Sequence, residues 1–316
     1  MPFFQDNMSL PPVHQRGRRA RSLWVVIALV VLLSTAGCLS ITGRGAVSES
    51  VAEGRQFSRQ GIAAIERGDW AEAESLLNRA VEACPIDVDA RRHYGEALWQ
   101  RGARQQALTQ IEHAIRLNRH DPTLPVRAGE MYLALGKLAN AQGKADDALR
   151  IDPSHAGGWA LRARIGVADG RPEDAQADFH RALGYAPERP QLLSELADLY
   201  IQAGEPQRAL STLQQLVDTY APNEVPQQVY YAQGLALASL GRFDDAADSQ
   251  RAAARSGPAD AEILYRLAEA EMLAHRPRAA RWAAHDALAI EPRHEPSQRL
   301  LERIELANRA PDGRGL

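Results

Sequence analysis

The apolar residues of this chain follow two patterns. Over residues 23–33 they form an uninterrupted run, whereas beyond about residue 50 they recur at intervals among polar and charged residues. A continuous run behind positive charge indicates a segment directed to a membrane, and spaced apolar residues predict amphipathic helices. The sequence therefore predicts a short membrane-directed segment followed by a helical domain.

Small residues repeat through the helical part with a period of 34 residues, apart from one step of 37 between Ala209 and Ala246. The first series consists of Ala73, Ala107, Ala141, Ala175, Ala209, Ala246 and Ala280. Seven residues after each of these stand Ala80, Ala114, Ala148, Ala182, Leu216, Ala253 and Ala287. Upstream in each unit stand Gly61, Gly95, Gly129, Ala163, Ala197, Gly234 and Ala268. Seven residues further on come Gly68, Gly102, Gly136, Gly170, Gly204, Gly241 and, in the last unit, His275. A fixed period of this length predicts a repeat architecture.

Each series has a physical reason. Small residues let two antiparallel helices approach closely, and the intervening glycine can take the left-handed conformation that ends the first helix. Most units then end in proline, which stops the second helix. We predict helix pairs over residues 54–87, 88–121, 122–155, 156–189, 190–226, 227–260 and 261–294, a capping helix over 295–308 and a disordered tail over 309–316. The three extra residues fall within 220–226 and predict a surface insertion, or alternatively a bend or a binding loop.

These offsets resemble the tetratricopeptide repeat, whose consensus has small residues, a glycine and a terminal proline at the same places. The resemblance covers about residues 54–292. It implies an all-α fold, a right-handed superhelical solenoid of seven antiparallel helix-turn-helix repeats with a C-terminal capping helix. It also implies that the first helix of each repeat lines a concave groove that binds a protein or peptide partner.

Carried over position by position, the resemblance implies a groove that includes Arg92, Glu96, Trp99, Glu130, Arg164, Asp198, Tyr231, Tyr265 and Glu269. We interpret the three aromatic residues of this set as candidate anchors, because such side chains are enriched at interfaces. The alternative is that they pack between repeats. Chaperone-binding family members hold a carboxylate with Lys and Asn, and Ser58, Ile62 and Glu96 stand at matching places here, which disfavours that partner.

The N-terminus predicts an export signal over residues 1–37, with an n-region over 1–22 and an h-region over 23–36. Arginines precede the apolar run, and Thr35, Ala36, Gly37 and Cys38 follow it. This ending resembles the lipobox of bacterial lipoproteins, which implies lipid attachment to Cys38 and a membrane-anchored protein facing the periplasm. The alternative is an uncleaved single-pass signal anchor. We predict a flexible tether over 38–49, with a capping-box pattern at Ser50 marking the first helix.

Composition and motifs narrow the function classes. The chain has 316 residues, 45% of them hydrophobic, and a formal net charge of −3. Nucleic-acid-binding proteins usually carry a clustered basic surface, and this charge balance does not indicate one, so we expect no nucleic-acid partner. Two cysteines exclude a disulfide framework. No phosphate-binding, zinc-protease or nucleophile-elbow motif occurs, and the nine histidines are scattered. We therefore expect no catalytic residues, metal site, cofactor or small-molecule substrate.

Together these patterns predict a non-catalytic, membrane-tethered protein-interaction scaffold of the bacterial envelope. The architecture also resembles the lipoprotein pilotins, so an assembly factor for type IV pili or secretion is one alternative. A substrate-recruiting subunit of an envelope enzyme is the alternative from another class.

Overall fold

The computed structural model describes residues 42–221, 223–258 and 260–309, and over these residues the chain forms fifteen α-helices and no strand. The bounds of the helices are α1 Thr42–Glu66, α2 Trp70–Ala83, α3 Val88–Gln100, α4 Arg104–Leu117, α5 Thr123–Ala134, α6 Leu138–Ile151, α7 Ala156–Ala168, α8 Pro172–Tyr185, α9 Pro190–Gln202, α10 Pro206–Asp218, α11 Gln227–Ser239, α12 Phe243–Ser256, α13 Ala261–Leu273, α14 Pro277–Ile290 and α15 Glu295–Arg309. In chain order, α1 to α14 correspond to the seven predicted helix pairs and α15 to the predicted cap. The all-α class and the helix-turn-helix repeat are confirmed.

The N-terminal boundary of the helical part differs from the prediction. The predicted signal peptide and Cys38 lie outside the described residues. Helix α1 begins at Thr42, so residues 42–49 of the predicted flexible tether are helical. The Ser50 pattern therefore lies inside α1 and does not start it.

Of the described residues, those from Thr42 to Gly102 form one compact unit, the N-terminal unit, which contains α1, α2 and α3. Helix α2 packs against both α1 and α3. Leu77 is buried among Ala64, Ala73 and Ala97. A Cβ atom built on Gly61 would lie 2.5 Å from Cγ of Leu77, so α1 and α2 approach as closely as a glycine allows.

The described residues from Ala103 to Arg309 form the C-terminal unit, which contains α4 to α15. Within it each helix packs against its neighbours in sequence, and α5 also contacts α7, α9 contacts α11, and α11 contacts α13. The helices that contact across one intervening helix are the first helices of successive repeats. They therefore form a row along the unit.

The small-residue series lie in the core as predicted. The members of the two alanine series, including Leu216, are at most 1% exposed. Larger residues such as Phe179, Leu196 and Leu213 fill the space between the close-packed helices. The insertion between α10 and α11 contributes buried Val225 to this core, so it is anchored and not merely a surface loop.

Glycines end the first helices in the predicted left-handed conformation, with φ between 69° and 84° at Gly68, Gly102, Gly136, Gly170, Gly204 and Gly241. The left-handed conformation turns the chain so that the next backbone N–H can bond back to the helix. After Gly170, Arg171 donates its N–H to the Gly166 carbonyl at 2.8 Å, which satisfies a carbonyl of the last turn. In the last repeat His275 takes this place with φ 59°.

We expect His275→Gly to raise the free energy of unfolding by about 0.5–1 kcal/mol. The left-handed conformation costs a residue with a Cβ about 1–2 kcal/mol, and the greater freedom of glycine in the unfolded chain offsets part of that gain. Urea denaturation of the purified chain, followed by helical circular dichroism, measures the difference. The reverse substitution Gly241→Ala is the matched control and should destabilise. An equal loss of stability in both variants would contradict the conclusion that the left-handed conformation of His275 is strained.

Candidate functional site

The groove residues predicted from the sequence all lie on first helices. Arg92, Glu96 and Trp99 lie on α3 in the N-terminal unit. There, Arg92 pairs with Asp89 at 3.4 Å, and Glu96 accepts a hydrogen bond from Gln100 at 3.1 Å.

The other six predicted residues lie on the row of first helices in the C-terminal unit. They are Glu130 on α5, Arg164 on α7, Asp198 on α9, Tyr231 on α11, and Tyr265 and Glu269 on α13. We call the solvent-facing side of α5, α7, α9, α11 and α13 the first-helix surface.

Arg164 joins three successive first helices. Its Nε and Nη2 atoms donate to the two carboxylate oxygens of Glu195 at 2.7 and 2.8 Å, and its Nη1 donates to Glu130 at 3.2 Å. Arg127 donates to the other oxygen of Glu130 at 3.1 Å. The hydrogen bonds to Glu195 are the largest cause of a raised Arg164 pKa, so the guanidinium is fully charged. Arg164 therefore holds the surface together and is not an open cation.

Asp198 lies one helical turn beyond Glu195, on the same face of α9. No residue in the described part of the chain forms a hydrogen bond or ion pair with its carboxylate. Burial, and then repulsion from Glu195, raise the pKa of Asp198. The carboxylate borders a cavity of about 210 Å³ that Val167, Leu199 and Gln202 also line. The result is an unpaired carboxylate at the edge of an apolar hollow.

A second hollow of about 330 Å³ lies between α9, α11 and α13. Ile201, Leu235, Ala238 and Leu273 give it apolar walls. Its polar lining includes Ser239, Gln250, Arg266 and Glu269.

Gln250 is an unusual part of this second hollow because it comes from α12, a second helix, and is only 1% exposed. Its Nε2 donates to the Tyr231 carbonyl at 3.1 Å. A carbonyl can only accept, so this hydrogen bond identifies the amide nitrogen and thereby the position of Oε1. The Oε1 atom is buried without a hydrogen-bond partner. A Cβ at Gly234 would lie 2.2 Å from Nε2, so only glycine admits the amide here.

The two predicted tyrosine anchors are half-buried. The Tyr265 hydroxyl donates to Glu269 at 3.3 Å, and its ring lies 5.6 Å from the His294 ring. Arg266 donates to Glu262 at 2.7 Å and to Glu269 at 3.0 Å. Tyr265 thus has packing partners of its own, and part of its ring remains exposed.

Sequence reasoning missed Glu195, Arg266 and Gln250. Glu195 gives no repeat-level signal, because its role depends on a guanidinium in the preceding repeat. Gln250 did give a signal in the sequence. It stands at the repeat position that is occupied in other repeats by the core residues Leu77, Ile111, Phe179 and Leu213. A polar residue at a position that is otherwise apolar could therefore have been noticed.

Stacked helix pairs with a row of first helices define a helical repeat protein. Two family models described as tetratricopeptide repeat match the chain, one over residues 58–122 and 231–296 and the other over residues 167–229. These matches cover more than half of the chain, and the chain belongs to the tetratricopeptide repeat family. Both models describe the repeat, and neither describes a catalytic domain.

Three characterised proteins are similar in sequence. Cytochrome c-type biogenesis protein CycH of Bradyrhizobium diazoefficiens is 25% identical over 260 residues, 76% of this chain and 70% of CycH. BBSome complex member BBS4 of Bos taurus is 25% identical over 177 residues, which are 56% of this chain and 33% of BBS4. Cellulose synthase operon protein C of Pseudomonas fluorescens is 27% identical over 169 residues, which are 50% of this chain and 13% of that protein. This chain therefore spans a third or less of the latter two.

Solved structures share the fold. The pilF protein of Pseudomonas aeruginosa has a TM-score of 0.58 at 16% identity, covering 68% of this chain and 97% of its own. YrrB, described as a TPR protein with an unusual peptide-binding site, has a TM-score of 0.54 at 22% identity, covering 61% and 97%. At these identities the likeness establishes the fold alone.

Two kinds of feature are absent from the described residues. Among helices α1 to α15, none is both long enough and apolar enough to cross a membrane. Within the same residues, no group of three His, Cys, Asp or Glu side chains is arranged to hold a metal ion.

Proposed function

We propose that this tetratricopeptide repeat protein is a non-catalytic, membrane-tethered scaffold of the bacterial envelope that binds a partner peptide or helix on its first-helix surface. The observation that carries the proposal is that surface itself. It combines two hollows with apolar walls, half-buried tyrosines and a charged network held rigid by Arg164. Such a combination of apolar hollows and fixed polar groups is typical of peptide recognition.

The tether rests on the sequence. Arginines, an apolar run and the lipobox-like ending at Cys38 support export and lipid attachment, with the repeats facing the periplasm. Radiolabelled palmitate incorporation, lost in Cys38→Ser, tests this part. Absence of label in the wild type would favour the uncleaved anchor.

Site-specific photocrosslinking tests the binding surface. A photoreactive amino acid is placed at Tyr231 or Tyr265, and the matched control places it at Trp282 on α14, a second helix, where the indole is 72% exposed. We expect discrete crosslinked products from the two tyrosine positions and none from the control, because only the first-helix surface would contact the partner. Mass spectrometry of the products identifies the partner segment.

A combined Tyr231→Ala and Tyr265→Ala variant should lose the same partner while retaining its helical circular dichroism. Retention of the partner by this variant, or crosslinking from Trp282 alone, would place the binding surface elsewhere.

A further inference from the structure

We infer that the first-helix surface selects a partner segment in which a lysine or arginine stands beside an apolar side chain that carries an N–H donor, as tryptophan does. The cation would pair with Asp198, and the apolar side chain would enter the hollow that Gln250 lines. This inference rests on the proposed function, because it specifies the chemistry of the partner at the same surface.

The charges around Asp198 leave one carboxylate unmatched. Arg127 and Arg164 face three carboxylates, those of Glu130, Glu195 and Asp198, and both arginines are engaged by the first two. Around the second hollow, Arg266 faces Glu262 and Glu269 and pairs with both. Each cluster therefore carries an excess of negative charge, which favours a cationic partner over an anionic one.

The second observation is Gln250. Its Oε1 is a buried acceptor without a partner, and such an atom is costly to leave unsatisfied. The atom belongs to a residue that lines the hollow, and the walls beside it are aliphatic. A side chain with a large apolar body and a single donor satisfies both features, and the indole N–H is a donor only.

The two features lie close enough for neighbouring residues of one segment. Asp198 borders the first hollow, and Ile201, one turn further along α9, lines the second. Side chains at this spacing are about 5–6 Å apart at their Cβ atoms. Val167 and Leu273, 42% and 43% exposed, extend apolar surface at either end. The arrangement thus offers a cation site and an apolar site side by side.

A peptide selection tests the inference directly, because random peptides sample every combination of charge and apolar side chain. Full-length wild-type protein in detergent and its Asp198→Lys variant are each used to select from a random peptide library displayed on phage. We expect wild-type peptides enriched in Lys or Arg beside Trp, and variant peptides enriched in Asp or Glu at the same place. Glu173→Lys on α8, an exposed residue of a second helix, makes the same charge change away from the surface and should select as wild type does.

Affinity measurements on one selected peptide separate the two sites. By fluorescence anisotropy, Asp198→Lys should weaken binding about tenfold or more, because it replaces attraction by repulsion. Gln250→Leu restores the apolar residue of the other repeats and should keep the fold. It should abolish the preference of the surface for Trp over Phe in the peptide.

The outcomes distinguish the two proposals. Enriched peptides without a cation, selected equally by wild type and Asp198→Lys, would overturn this inference and leave peptide binding intact. If no peptide is enriched with any variant, both this inference and the proposed peptide-binding function fail.

Discussion

Phe179→Ala should lower the free energy of unfolding by about 3–5 kcal/mol, which is the usual cost of removing a buried aromatic side chain. Phe179 is 1% exposed and is among the largest fully buried side chains in the described part of the chain. It packs with Ala160, Ala163 and Leu196, which belong to α7 and α9. The small residues around it cannot expand to fill the space, so a cavity should remain.

Urea denaturation followed by circular dichroism measures this loss. Tyr185→Ala on the same helix α8 is the control, because its ring is 54% exposed and its removal should change stability by about 0.5 kcal/mol or less. In a stack of repeats the loss should also appear as early unfolding of the neighbouring helices, since each repeat depends on its neighbours. Similar losses in both variants would mean that Phe179 is not a core residue.

Glu271→Ala should lower the free energy of unfolding by about 3 kcal/mol, near the lower end of the range for breaking a buried ion pair. The Glu271 side chain is 4% exposed, and its carboxylate contacts both Arg251 and Arg276. Nε of Arg276 lies 2.6 Å from the carboxylate without hydrogen-bond alignment, so that contact is mainly Coulombic. Without Glu271, Arg251 would keep only the exposed Asp248 and Arg276 only the exposed Asp244, and both guanidinium groups would lose their shared buried partner. Both remain partly exposed, which limits the loss.

The comparison for Glu271 is a pair on the surface. Glu295 and Arg299 form an ion pair on α15 with both side chains more than two-thirds exposed, so Glu295→Ala should cost about 0–1 kcal/mol. Adding Arg251→Met to Glu271→Ala should recover part of the stability, because it removes one of the two guanidinium groups that have lost their buried partner. No recovery in the double variant would show that Glu271 acts by packing and not by charge.

The repeat was predictable because its signals are local. The alanine series, the left-handed glycines and the prolines each act within one helix pair, and their period of 34 residues is visible without coordinates. The structure confirmed the helix pairs and the burial of the small residues. Helix α1 begins at Thr42 and not at the predicted Ser50, and residues 42–49 contain no proline that would stop a helix before Ser50.

The candidate surface was predictable only in part. The helix face of each predicted groove residue follows from its place in the repeat, so Asp198, Tyr231 and Glu269 could be named in advance. The ionic partners of a groove residue could not be named in advance. Arg164, for example, has Glu130 within reach in the repeat before it and Glu195 in the repeat after it. Which carboxylates it binds depends on side-chain rotamers and on the spacing between α5, α7 and α9.

The sequence by itself determined the order of the helix pairs and the buried face of the described helices, because these depend on residues a few positions apart. Only the tertiary structure decided that Arg164 is already engaged, that Asp198 is left unpaired and that the buried amide of Gln250 lies against Gly234. Those outcomes depend on distances of a few ångströms between helices from different repeats. The sequence repeat shows which residues face one another, but it does not show which of them form hydrogen bonds or ion pairs.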